Sequence, residues 1–149
     1  MSEEILKKLQ RERVTLATIN RRGWAFFLDE LIISILFSII YTDSFAKATS
    51  LEQVIELTNI LFLQVVILKV IYHTFFVWMY GATVGKILLK IKVVSIEDFD
   101  NPNLLNSFIR ATVRIVSEFI FYLGFLWAFF DKAKQAWHDK AAKTVVVNV

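Results

Sequence analysis

The sequence predicts a small all-α membrane protein. It has two full transmembrane helices, an amphipathic helix ahead of them, a third apolar helical region that re-enters the membrane, and a minor pair of β-strands. Three observations carry this prediction. Two apolar stretches, Trp24–Tyr41 and Ile60–Tyr80, are each long enough to cross a bilayer. Both hold ionisable residues, Asp29 and Glu30 in the first, Lys69 and His73 in the second. Charge at a helix centre in hydrocarbon costs about 2.5–3.5 kcal/mol on insertion scales, so such residues face protein or water. The chain is also 56% hydrophobic, above the roughly 45–50% of soluble domains.

A chain of 149 residues holds one domain at most. It divides into an amphipathic segment, 1–23, and a membrane domain, 24–149. With no cysteine there is no disulfide framework and no thiolate metal site. The net charge of +3 is no nucleic-acid signature, because the Lys and Arg residues flank the apolar spans and report topology.

The first segment is too charged for a signal peptide. Ser2 can cap a helix over Glu3 to Ile19, with Ile5, Leu6, Leu9 and Val14 as a partial apolar stripe. Such a helix lies on the membrane surface; a frayed basic tail is the alternative. Trp24–Tyr41 spans roughly 27 Å at 1.5 Å per residue, with Trp24 and Tyr41 as interfacial anchors. Ser50-Leu51-Glu52-Gln53 reads as a capping box, opening a helix from Leu51 to Tyr80. At roughly 45 Å it exceeds the ~30 Å core, so its first turns stand above the membrane. Gly81 ends it as a C-cap.

Lys7, Lys8, Arg11, Arg13, Arg21 and Arg22 precede the first span, whereas the connector 42–59 carries Lys47 as its single basic residue. The positive-inside rule therefore places the N-terminus in the cytoplasm and the connector outside. The third region, Leu104–Phe130, holds Arg110, Arg114 and Glu118 and is followed by a basic tail. One full crossing would export that tail against the rule, and two would need about 40 residues. An interfacial helix over Leu104–Glu118 and a re-entrant arm over Phe119–Phe130, turning near Gly124, fit better; a true third span is the rival. The alternating Leu89–Val93 run and the β-branched Thr144–Val149 run read as strands. Neither is stable alone, so they pair on one side of the membrane.

Four ordered blocks carry a family resemblance. They are Arg22-Gly-Trp-Ala-Phe-Phe-Leu-Asp29; Gly81-Ala-Thr83-Val-Gly85-Lys86 with Leu88–Val94; Arg110–Arg114; and Ala136-Trp-His138-Asp139-Lys140-Ala-Ala-Lys-Thr144-Val-Val. From about Arg22 to Val147 the chain resembles the RDD family of small bacterial membrane proteins, named for one arginine and two aspartates. It departs from the family at Lys143, where glycine is more usual, which implies a stiffer turn. The resemblance implies a bacterial inner-membrane location and suggests transport, with cation antiport for some members.

On their own terms, Arg22 and Asp29 share a helix face two turns apart. They are too distant for direct contact, and Asp139 is the candidate to bridge them. The competing reading makes Arg22–Asp139 a clamp that pins the tail to the first helix. Lys69 and His73, one turn apart, face the same way. In an antiparallel packing Asp29 and His73 lie at similar depth and suit a proton relay or cation site. Lys69 then needs Glu118 or Glu30 as partner. The bland reading has Lys69 snorkelling and His73 bonded to a carbonyl. Gly81 and Gly85 serve a turn from helix to strand; Lys86 behind them, with Lys90 and Lys92, suits a lipid phosphate rather than a nucleotide. His138-Asp139 has no accompanying nucleophile, and two histidines are too few for a metal cluster, so no enzyme activity, metal or cofactor is expected. The expected partners are the phospholipid bilayer and either further copies of the chain or a larger membrane complex. Transport by an oligomer and a non-transporting assembly or stabilising role both fit.

Overall fold

Ile5 and Leu9 fall one turn apart on α1 (Ser2–Arg11) and are the residues that it buries. In the computed structural model, which describes residues 1–149, they pack on Val94, Val145 and Val147 of a β pair. The stripe is thus turned onto protein rather than laid on the membrane surface. The helix also stops well short of Ile19. Arg13 adopts a left-handed φ of 55°, and the next residues are extended. The Ala17 N–H donates to the Val146 carbonyl and the Asn148 N–H to the Thr15 carbonyl, each at 2.9 Å. This short stretch therefore lines the outer edge of β2, satisfying backbone groups that would otherwise be left open.

The pair itself is antiparallel. β1 (Ile91–Ser95) runs against β2 (Thr144–Asn148) with Val93 opposite Val146. Before β2, Lys143 holds a left-handed φ of 50°, a conformation that favours glycine. That accounts for the residue type expected there.

α2 (Ile19–Ile40) begins a turn before Trp24, where the Thr18 side chain accepts the Arg21 N–H. A short α3 (Thr42–Ala46) leads to α4 (Leu51–Tyr80), capped by Ser50 Oγ on the Gln53 N–H at 3.3 Å. The reciprocal half of the expected capping box is missing, because Gln53 Oε1 accepts from the Thr49 N–H instead, at 2.8 Å. Gly81 ends α4 with a φ of 69°, the left-handed C-cap. The short α5 (Val84–Leu88) then leads into β1.

The third apolar region is bent. α6 (Leu104–Phe119) meets α7 (Leu123–Leu126) and a 3₁₀ turn (Trp127–Phe129) at 109°. Such a bend is that of a re-entrant arm or a broken span. Phe121 and Tyr122 make the turn with left-handed φ values of 50° and 60°. Gly124 does not make it, because it serves a close approach. A Cβ there would strike Ser117 Oγ and lie 2.9 Å from Ser117 Cβ and 3.0 Å from Trp137 Cε3. Gly124→Ala is expected to lower stability by about 1–3 kcal/mol through overpacking. Thermal melting in detergent reads this directly, and an unchanged midpoint would refute it. The chain closes with α8 (Trp137–Ala141) and β2.

Polarity is arranged inside out. α6 buries Ser107, Arg110, Arg114 and Ser117 while exposing Leu105, Phe108 and Phe119. Phe27, Ile35 and Ile39 of α2 and Phe62, Ile67 and Ile71 of α4 are likewise exposed. Soluble proteins almost never bury charge while leaving apolar side chains out on this scale. α2 and α4 are each long and apolar enough to cross a membrane, and lipid is the solvent that suits such a surface.

Candidate functional site

Three polar networks meet where α2 and α4 approach Arg22 and Gly81. The first surrounds Asp29, whose side chain is fully buried. Its carboxylate accepts from Thr83 Oγ1 at 2.6 Å, Tyr72 Oη at 2.9 Å and the Gly85 N–H at 2.9 Å. Gly85 permits that approach, because a Cβ would strike the Ala25 carbonyl oxygen and sit 2.9 Å from Asp29 Oδ1. Lys86 Nζ donates to Thr83 Oγ1 at 3.3 Å, so the ammonium is turned inward. The lipid-phosphate role expected of Lys86 does not match this orientation. Burial pushes the Lys86 ammonium down to about 7. Asp29 opposes that shift, while Arg110, Arg114 and Arg22 add to it.

The second network surrounds Asp139, also fully buried. Its carboxylate takes Arg22 Nη2 at 2.5 Å, Arg110 Nη1 in a closer contact, and the Ala136 N–H at 2.8 Å. Arg110 also donates to Thr144 Oγ1 at 2.8 Å, and Arg22 to the Lys134 carbonyl. Burial alone would raise the Asp139 carboxyl, but the Arg110 and Arg22 guanidiniums outweigh it and hold it well below the usual carboxylate range. Burial lowers the neighbouring His138 well below the usual imidazole range, with Asp139 opposing and the three arginines reinforcing. Asp139 does not bridge Arg22 to Asp29. Asp29 sits deeper along α2, and the turn at Thr83–Gly85 supplies two of its three donors, with Tyr72 of α4 the third.

The third network is a quartet deeper in the spans. Lys69 Nζ lies 2.7 Å from Glu30 and 2.9 Å from Glu118. Arg114 reaches Glu30 at 3.2 Å and Glu118 at 3.6 Å. Both partners considered for Lys69 are therefore used together, and Arg114 completes the set. Its guanidinium also lies over the Phe26 ring, 4.8 Å from the centroid, a cation–π arrangement.

Between the networks lies a cavity of about 40 Å³, lined by Arg22, Asp29, His73, Lys86, Arg110 and Arg114 and reached by His138. His73 Nε2, His138 Nδ1 and Arg114 Nη1 are buried without a hydrogen-bond partner. Asp29 and His73 thus share this chamber without bonding to each other. The space suffices for about three waters, since about 10–15 Å³ of such volume holds one.

Sequence reasoning singled out Arg22, Asp29, Lys69, His73, Gly81, Gly85, Lys86, Glu118 and Asp139. The structure places Gly81 at the helix end and the others in or beside these networks. It missed Tyr72, Thr83 and Arg110 as ligands, and Arg114 as a member of the quartet. The spacing of Arg110 and Arg114, one turn apart on α6, was the available signal; Thr83 stood in the Gly81–Lys86 block without a role of its own, and Tyr72 carried no signal.

The family model described as the RDD family matches residues 16–143. An uncharacterized protein of Rickettsia prowazekii (strain Madrid E) is 32% identical over 92 residues, which make up 61% of this chain and 51% of that protein. The chain thus covers about half the length of that relative. No solved structure matches.

Proposed function

Because the chain belongs to the RDD family and two of its helices are long and apolar enough to cross a membrane, we propose that it is a multi-pass protein of the bacterial inner membrane that moves protons, or ions coupled to them, as an oligomer. In this reading the N-terminus lies in the cytoplasm, supported by the excess of basic residues ahead of α2. Two spans cannot enclose a pathway, so copies must associate with their chambers facing a shared route. The observation that carries this reading is the chamber. It puts a carboxylate, Asp29, and an imidazole with a free buried nitrogen, His73 Nε2, around one small cavity. A neutral imidazole can donate from one ring nitrogen while it accepts at the other, so it can pass a proton along without itself staying charged. A purely structural polar core would leave fewer such groups open. The chemistry proposed is passage, not catalysis.

A second reading has its own support. The Arg22–Asp139–Arg110 clamp joins α2, α6 and the tail, as a scaffold or stabilising subunit of a larger complex would need. The two readings part on Asp29→Asn. Transport requires that this variant lose proton flux in proteoliposomes while its melting profile shows that it remains folded. Flux retained at wild-type rate would overturn the transport reading. Because the chain has no cysteine, a cysteine placed at position 29 gives a unique label. Labelling of that cysteine from the aqueous side supports a path, and its complete protection argues for the scaffold.

A further inference from the structure

The charges around the chamber do not balance. Glu30 and Glu118 neutralise Lys69 and Arg114 in the quartet. Asp29 offsets Lys86 through Thr83. Arg22 and Arg110, however, share a single carboxylate, Asp139. One positive charge is left over, and it borders a cavity of about 40 Å³.

Among the groups that line the chamber, the unfilled hydrogen-bonding capacity is biased in the same sense; the open Glu118 Oε1 lies outside that lining, 3.6 Å from Arg114 Nε. Arg114 Nη1 is a buried donor with no acceptor. Lys86 Nζ uses one bond, to Thr83 Oγ1, and an ammonium can make three. Asp29, the acceptor in the chamber, is already occupied by three donors. His73 and His138 can each present either a donor or an acceptor. A bare metal cation would meet three guanidiniums and an ammonium with no open carboxylate. A lipid headgroup is too large for the space.

From this geometry we infer that the chamber is a binding site for a small monovalent inorganic anion of halide size, held by Lys86 and Arg114. Water alone would satisfy donors but not the surplus charge. The inference rests on the proposed transport reading for its purpose, since it names what accompanies the proton, but the site itself can be tested without flux. Lys86 makes it pH-sensitive. The charged and titratable groups facing its ammonium are Asp29, Arg22, Arg110, Arg114, His73 and His138. With Lys86 neutral the surplus charge vanishes, so affinity falls as pH rises through about 7, by up to about tenfold per pH unit.

The test uses the full chain in phosphatidylcholine nanodiscs at pH 6. Sodium chloride, bromide, nitrate and gluconate are titrated at constant ionic strength and read by calorimetry and thermal shift, with choline chloride as the counter-cation control. Saturable binding of chloride and bromide is expected, the same for sodium and choline salts, and absent for gluconate. It should weaken at pH 8.5, be lost in Lys86→Met and return in part in Lys86→Arg. No saturable halide response in the wild-type protein, or one that follows the cation or added anionic lipid, would overturn the site. Halide binding without any flux would instead overturn the transport reading and leave the site standing. Proton flux indifferent to halide, with no binding, would do the reverse.

Discussion

Asp139→Asn is expected to destabilise the protein by about 3–5 kcal/mol, the usual result of removing one partner from a buried ion cluster. The substitution is nearly isosteric, so packing is not the cause. Asp139 is fully buried, and its partners Arg22 and Arg110 are 13% and 6% exposed. Without the carboxylate, two guanidiniums would face each other and an amide, with no counter-charge. The single amide oxygen cannot serve both the Ala136 N–H with Arg22 on one side and Arg110 on the other, so one set loses its acceptor. Thermal melting in nanodiscs should show the loss, and protease should cut the tail after Ala136 far faster than in the wild-type protein. A variant within about 1 kcal/mol of wild type would mean that the cluster carries no weight. A stronger control removes all three charges together. Arg22→Met, Arg110→Met and Asp139→Leu combined should recover much of the loss, because apolar replacement of a whole buried cluster is often neutral. The pH dependence follows in sign. Asp139 is held below its ordinary value when folded, so its contribution is complete above the unfolded value, about 3.9. It is lost only as pH falls below that value toward the depressed one.

Lys69→Met should cost a comparable amount, about 3–5 kcal/mol. Here the fault is like-charge repulsion at membrane depth. Lys69 separates Glu30 from Glu118 at 2.7 and 2.9 Å, and Arg114 alone cannot hold both. Methionine keeps the length and flexibility of the stem, so the change isolates the ammonium. Lys69→Arg should retain most of the stability, since a guanidinium can still reach both carboxylates. Melting of the two variants side by side separates charge from shape. Equal losses in both would show that packing, not the ion pairs, governs the position.

The spans were legible because apolar length has few rival explanations, and the Ser50 and Gly81 signals sit at the ends of α4 as placed. The strand pair was legible because two lone β-runs had no other partners. The end of α1 was not. Nothing local between Glu12 and Thr18 stops a helix; what stops it is the edge of β2, a strand more than a hundred residues further on. The turn of the third region lies near Gly124 as expected, but it is made by Phe121 and Tyr122 just before it, for a related reason. Gly124 invites a turn by type, but its neighbour Ser117 claims its missing side chain. Of the candidate site, charged residues inside apolar runs announced themselves by their expense. Tyr72 looks like any membrane aromatic, and Thr83 like any turn residue. That they converge on Asp29 depends on how α5 folds back against α2, which no spacing encodes. Arg110 was visible as a motif, but its counter-ion lies across a crossing of α6 over the tail.

The clamp has a consequence for how the protein is made. Arg22 finds its carboxylate 117 residues downstream, and Arg110 finds the same group 29 residues downstream. A nascent chain emerging from the ribosome therefore inserts both hydrophobic helices long before its basic cluster has an acidic counterpart. Until translation reaches Asp139, those arginines must borrow solvation from headgroups or from an insertion factor. Assembly of the polar interior is thus a late event in biogenesis, since a product cut short before that residue lacks the counter-charge of both arginines.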